Sequence, residues 1–156
     1  MIRLNKRQIL SLHSQQINLF GGSDGVRDDK LLDLSINSAY QTFDGSYLYD
    51  NPIKQAVHLG FSLIMNHPFL DGNKRIGAHA MLTILFLNGF EIDYSQDELI
   101  DVIMGIASSS LTENDLLEWV ENHIKKSDLK WSLIFLLFFF PKTYPFYLVN
   151  HRLWCF

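Results

Sequence analysis

Along residues 53–64 the apolar positions are Ile53, Ala56, Val57, Gly60, Phe61 and Ile64, the i, i+3, i+4, i+7, i+8, i+11 series of one helix face. Asn51-Pro52 opens that helix, with proline in the first turn, where its missing N–H is not needed. Near the N-terminus, Asn5-x-x-Gln8 resembles a capping box and predicts a helix closed by Gly21-Gly22. SDGVRDD, residues 23–29, is turn chemistry, and a second helix is predicted from about Asp28 to Phe43, burying Leu32, Ile36, Ala39, Tyr40 and Phe43. Residues 44–51, DGSYLYDN, suit a loop or short hairpin with partly exposed tyrosines. From Asn73 to Asn88 the chain is apolar nearly all round (Ile76, Ala80, Met81, Ile84, Leu85, Leu87) and is stopped by Gly89, which predicts a central, buried helix. Ser95-x-x-Glu98 opens another helix, to about Ser108, and Thr112-x-x-Asp115 opens one carrying Leu116, Leu117, Trp119, Val120 and Ile124. The fold class read from this pattern is all-α with one small β-like flap.

After Lys126 the pattern changes. WSLIFLLFFFPKTYPFYLVNHRLWCF has the apolar density of a membrane segment, but Pro141-Lys142 cuts it after ten residues, short of the roughly 18 to 20 that span a bilayer. The residues therefore divide into a domain, 1–126, and a hydrophobic tail, 127–156. The tail lacks amphipathic spacing, so it reads as an appended sequence without a selected role; packing on the domain and a membrane anchor are the alternatives.

Composition narrows the classes. A chain of 156 residues with 47% apolar, 13% aromatic and 19% charged residues is folded, and its length suits one core. The net charge of −4 supplies no general field for DNA or RNA, so anion binding has to be local and no direct nucleic-acid contact is expected. Cys155 is the single cysteine, which excludes a disulfide framework and fits a reducing, cytoplasmic setting. MIRLNKRQIL lacks the apolar core of a signal peptide.

The chemistry gathers in NHPFLDGNKRIG, residues 66–77. Lys74 and Arg75 are the only lysine or arginine residues between Lys54 and Lys125. They fall in the first turn of the central helix, where cations oppose the helix dipole by a few tenths of a kcal/mol to about one. A bound phosphate would reverse that penalty, because the first N–H groups of a helix have no internal acceptor and welcome an anion. Gly72 allows a tight turn or close approach to a ligand, and Asn73 can cap the helix or donate from its amide. Asp71 is a candidate magnesium ligand beside such phosphates. His67 is the natural proton acceptor for a hydroxyl attacking the phosphate chain. Phe69 is placed to anchor the loop in the core.

HPFLDGNKR resembles the motif of the Fic/Doc superfamily: HPFx(D/E)GNGRxxR in the Fic branch and HxFx(D/N)(A/G)NKR in the Doc ("death on curing") toxin branch. GGSDGVRD and LTENDLLEWVENH also resemble segments of Doc-like proteins, and the likeness covers residues 1 to about 126. It implies a compact helical bundle in which His67 is the catalytic base, Asp71 holds magnesium, Gly72 and Asn73 form the anion-holding turn, and Lys74 and Arg75 hold the phosphates of ATP. Lys74 stands where Fic adenylyltransferases have their second motif glycine, and Ala78 where they have a second arginine; both match the Doc branch. The resemblance thus implies a toxin of a type II toxin–antitoxin system: a protein kinase that moves the γ-phosphoryl group of ATP to a hydroxyl of elongation factor Tu or a similar factor, arrests translation, and is held in check by a Phd-like antitoxin. Fic-type adenylyl transfer and an inactive, partner-binding relic are the alternatives.

Other features weigh less. His58, His67 and His79 raise a metallohydrolase reading, which Pro68 and Gly72 disfavour by interrupting any helical His–Asp pair. His13 and His123 read as ordinary helix residues. Ser109-x-x-x-Glu113-Asn114 has the spacing of the autoinhibitory motif of some Fic proteins, but its usual arginine partner is Ala78 here, and Thr112-Glu113 is accounted for as a helix start.

Overall fold

The protein is described by a computed structural model over residues 1–125; the predicted tail, 127–156, lies outside the described residues. Helix α1 (Lys6–Phe20) starts at the expected box: Asn5 Oδ1 accepts the Gln8 N–H at 3.0 Å and Gln8 Oε1 accepts the Asn5 N–H at 2.9 Å. Asp28 caps α2 (Asp29–Ser38) by accepting from the N–H groups of Lys30 and Leu31.

This second helix ends five residues earlier than its apolar spacing predicts. Asp44 and Gly45 both adopt positive φ (49° and 77°), the backbone of a two-residue hairpin turn whose twist matches that of the flanking strands. The turn recruits β1 (Thr42–Phe43) and β2 (Ser46–Tyr47) into an antiparallel pair, and the Leu48 N–H extends it to the Gln41 carbonyl at 3.0 Å. Phe43, expected in the core, is therefore 76% exposed.

Helices α3 (Pro52–Asn66) and α4 (Asn73–Leu87) form the centre, on either side of the motif loop. Asn51 caps α3 and proline occupies its first turn. The two helices press together at Gly60 and Gly77: a Cβ on Gly77 would stand 2.5 Å from Ile64 Cγ1 and 2.8 Å from the Gly60 carbonyl. Leu59, Leu63, Ile64, Ile76, Met81, Ile84 and Leu85 are fully buried around this seam. The burial of α3 is wider than the predicted face: Leu59, Ser62 and Leu63 are inside, while Ile53 and Phe61 are half-buried.

Capping boxes at Ser95 and Thr112 open α5 (Gln96–Ala107) and α6 (Glu113–His123). Ile124, read as helical, instead begins β4 (Ile124–Lys125), which pairs with β3 (Glu91–Ile92) so that Ile92 faces Ile124. Two residues are too few for alternation to register in a sequence, so this second small ladder was not anticipated. The all-α class holds, with two short two-stranded ladders among the described residues in place of one flap. Among the described residues no helix is long and apolar enough to cross a membrane.

Candidate functional site

The motif loop is pinned along its whole length. Helix α3 terminates at His67, whose left-handed backbone (φ 47°, ψ 53°) reverses the chain, a conformation that histidine adopts more readily than most residues with a Cβ. The Pro68 carbonyl then accepts from the N–H groups of Arg27 (2.8 Å) and Asp28 (3.1 Å), and the Leu70 N–H donates to the Gly25 carbonyl (3.0 Å). Val26 and Phe69 thereby form an isolated antiparallel bridge, so the SDGVRDD turn lies along the motif. Phe69 is buried to 1% exposure, the anchor expected from the sequence.

Asn73 completes the clamp. Its Oδ1 accepts the Phe69 N–H at 2.9 Å and its Nδ2 donates to the Phe69 carbonyl at 3.0 Å. The amide expected to cap the helix or face a ligand is thus committed to the loop, and the backbone N–H is what Asn73 offers at the helix end. Gly72 (φ 75°, ψ 13°) is the cap residue, and among the described residues no side chain caps α4. The first N–H bonded back is that of Ile76, to Gly72. Those of Asn73, Lys74 and Arg75 point out of the helix end, where a phosphate oxygen is a suitable acceptor.

Around this end stand the charged groups. The Arg75 side chain is 11% exposed; its Nη2 donates to the Gly21 carbonyl at the end of α1 at 3.1 Å and lies 3.9 Å from Asp71 Oδ2. Lys74 is half-buried, and its ammonium has no hydrogen bond or ion pair among the described residues. The Asp71 carboxylate is half exposed; Oδ1 accepts the Gly72 N–H at 2.6 Å, and Oδ2 lies against Gly22, 3.9 Å from Arg75 Nη2. A half-exposed carboxylate beside a helix N-terminus is a suitable group for magnesium that arrives with a nucleotide, a hard cation commonly held by one or two carboxylates plus phosphates. His67 is exposed at the far end of the same loop. The six residues singled out in the sequence therefore share one loop and helix end.

Two residues of the site were missed. His13 is 1% exposed; Nε2 donates to the Asp71 carbonyl at 2.8 Å, Nδ1 lies 3.2 Å from Asp24 Oδ1, and the ring stacks on Phe69 with centroids 3.9 Å apart. It forms part of the wall of a pocket of about 280 Å³ that also includes Leu10, Ser14, Asp24, Val26 and Phe69. Gln16 Nε2 donates to His79 Nδ1 at 2.9 Å and reaches the Arg75 carbonyl at 3.5 Å. Burial lowers the pKa of His79, in the second turn of α4, to about 4, so its ring is neutral. The available signal was positional: His13 and Gln16 share the face of Ile9, Leu12 and Ile17, and polar residues on a core face need partners.

His58 stands elsewhere. Its Nδ1 meets Glu113 Oε1 at 2.9 Å, its Nε2 meets Ser38 Oγ at 2.9 Å, and Tyr49 stacks on the ring. His58 precedes His67 by nine positions along α3, about 13 Å at 1.5 Å per residue, so Glu113 is bound to another part of α3 than the motif end. Among the described residues no three His, Cys, Asp or Glu side chains gather as a metal site.

A family model described as the Fic/DOC family matches residues 3–85, the span that contains the turn, the motif loop and nearly all of α4. Over 91 residues the chain is 35% identical to the protein named Toxin Doc from Mycolicibacterium smegmatis, across 57% of this chain and 70% of that protein.

Proposed function

Because the chain belongs to the Fic/DOC family, we propose that it is the toxin of a toxin–antitoxin pair and a protein kinase that uses ATP. The observation that carries this reading is the N-terminus of α4, which has no side-chain cap among the described residues and is flanked by Lys74, without a partner among them, and the anchored Arg75, with His67 exposed on the same loop. In the proposed reaction the target hydroxyl attacks the γ-phosphorus; a new P–O bond forms, the bond to the β–γ bridging oxygen breaks, and ADP leaves. His67 takes the hydroxyl proton. The N–H groups of Asn73, Lys74 and Arg75, with the Lys74 ammonium and Arg75 guanidinium, hold the phosphate oxygens as charge shifts among them. Magnesium, held through Asp71 when bound, would supply further neutralisation of that charge.

Transfer of the terminal phosphoryl group is favoured over nucleotidyl transfer by two positions. Ala78 has no group with which to hold β- and γ-phosphates as a leaving group, and Lys74 adds charge and bulk at the helix end, which crowds an α-phosphate pose. The target class is a translation factor such as elongation factor Tu, modified in the cytoplasm, with a Phd-like antitoxin as the inhibitory partner. Incubation of the protein with candidate targets and ATP labelled separately at the α and γ positions tests this. Label should arrive from the γ position alone and disappear with His67→Ala, while that variant keeps its fold. Label from the α position alone would return the protein to adenylyl transfer, and unchanged transfer by His67→Ala would reject the assigned base.

A further inference from the structure

We propose that His13 is a positioning residue for this site: its imidazole sets the orientation of the Asp71–Gly72 peptide and, through it, of the Asp71 carboxylate. The inference rests on the kinase reading above only for its activity readout. A carbonyl can only accept, so the proton in the 2.8 Å contact between His13 Nε2 and the Asp71 carbonyl belongs to His13. Pinning that oxygen fixes the plane of the peptide, and the N–H on its opposite edge is that of Gly72. That N–H is the donor to Asp71 Oδ1 at 2.6 Å. A chain of fixed groups thus runs from α1 through one peptide plane to the carboxylate and places Oδ2 against Gly22, 3.9 Å from Arg75 Nη2.

The ring is also flanked by Asp24 and Phe69. Asp24 Oδ1 lies 3.2 Å from Nδ1 and also accepts from Ser14 Oγ at 3.2 Å, while Phe69 stacks against one face at 14°. The His13 ring is 1% exposed, so a substitute side chain has to supply the bond to the Asp71 carbonyl or leave that oxygen unsatisfied. Other anchors hold Pro68, Phe69 and Leu70; among the described residues His13 is the one bound to the backbone of Asp71.

Glutamine places its amide nitrogen near the position of a histidine Nε2, whereas asparagine reaches only as far as Nδ1. His13→Gln should therefore retain the bond to Asp71, and His13→Asn should lose it. In purified protein, His13→Asn should lower kcat for γ-phosphoryl transfer by about 100-fold, the scale of a 1 Å misplacement, with little change in KM for the protein target. His13→Gln should recover most of that loss at a similar unfolding midpoint. Two readouts are independent of activity. Long-range 15N correlation spectra of the wild-type ring should show Nε2 protonated, and titration with inorganic phosphate should shift the Gly72 and Lys74 amides alike in wild type and His13→Gln but weakly in His13→Asn. An Nε2 without a proton, or equal kcat and equal amide shifts in both variants, would overturn the proposal. Wild-type protein that transfers no γ-phosphoryl group would reject the kinase reading, and the ring and amide measurements would still decide the role of His13.

Discussion

Gly22 and Asp71 lie in van der Waals contact across the site: a methyl group on Gly22 would overlap Asp71 Oδ2 and would stand 2.9 Å from Ile17 Cδ1 and 3.1 Å from Arg75 Nη2. Gly22 also has φ 123°, which disfavours any side chain. Gly22→Ala should displace the carboxylate and guanidinium together, lowering the proposed phosphoryl transfer by about 100-fold. Single-turnover kinetics beside a denaturation curve would check this; full activity would show that the contact yields without consequence.

Asn73→Ala should destabilise the fold more than its small size suggests. The N–H and carbonyl of buried Phe69 would both lose their partner, at about 1–3 kcal/mol for each unsatisfied group. Urea unfolding monitored by circular dichroism measures the loss, and a change below about 0.5 kcal/mol would mean that the loop finds other partners.

Lys74→Ala is expected to do the reverse. The ammonium has no partner among the described residues, so stability should stay within about 0.5 kcal/mol of wild type. Phosphoryl transfer should drop by at least about tenfold if the charge serves a bound phosphate. Equal transfer by the variant would remove Lys74 from the site.

Acid sensitivity should trace to His79. Its folded pKa is lowered from 6.5 to about 4 by burial; between those values the unfolded chain binds the extra proton and the folded chain does not, so stability rises with pH across this window. The contribution is complete above about pH 6.5 and is lost as pH falls towards 4, a change on the order of 3 kcal/mol. His79→Gln should flatten that part of the stability–pH profile; an unchanged slope would assign it to other groups.

Gly77→Ala should be the most damaging methyl addition. The Cβ would stand 2.5 Å from Ile64 Cγ1 and 2.8 Å from the Gly60 carbonyl, a backbone atom that cannot swing aside. Overpacking at the α3–α4 seam should lower the unfolding free energy by about 1–3 kcal/mol or more, as a shift in denaturant midpoint.

What the sequence by itself determined was local in origin. Helix starts at Asn5, Asn51, Ser95 and Thr112 were legible because each cap satisfies N–H groups two or three residues away. The motif residues from His67 to Arg75 were legible as a group because nine consecutive positions are close in any fold. Tertiary structure decided what depends on distant partners. Phe43 left the core because the Asp44-Gly45 turn commits its neighbours to a hairpin, and the amide of Asn73 turned from the ligand side to Phe69 once the loop closed over it. His13 became part of the site through a bond to a residue 58 positions away. A hydrogen bond of that span leaves no periodicity or spacing along the chain; it exists only when α1 is packed against the loop, with burial making the partner obligatory.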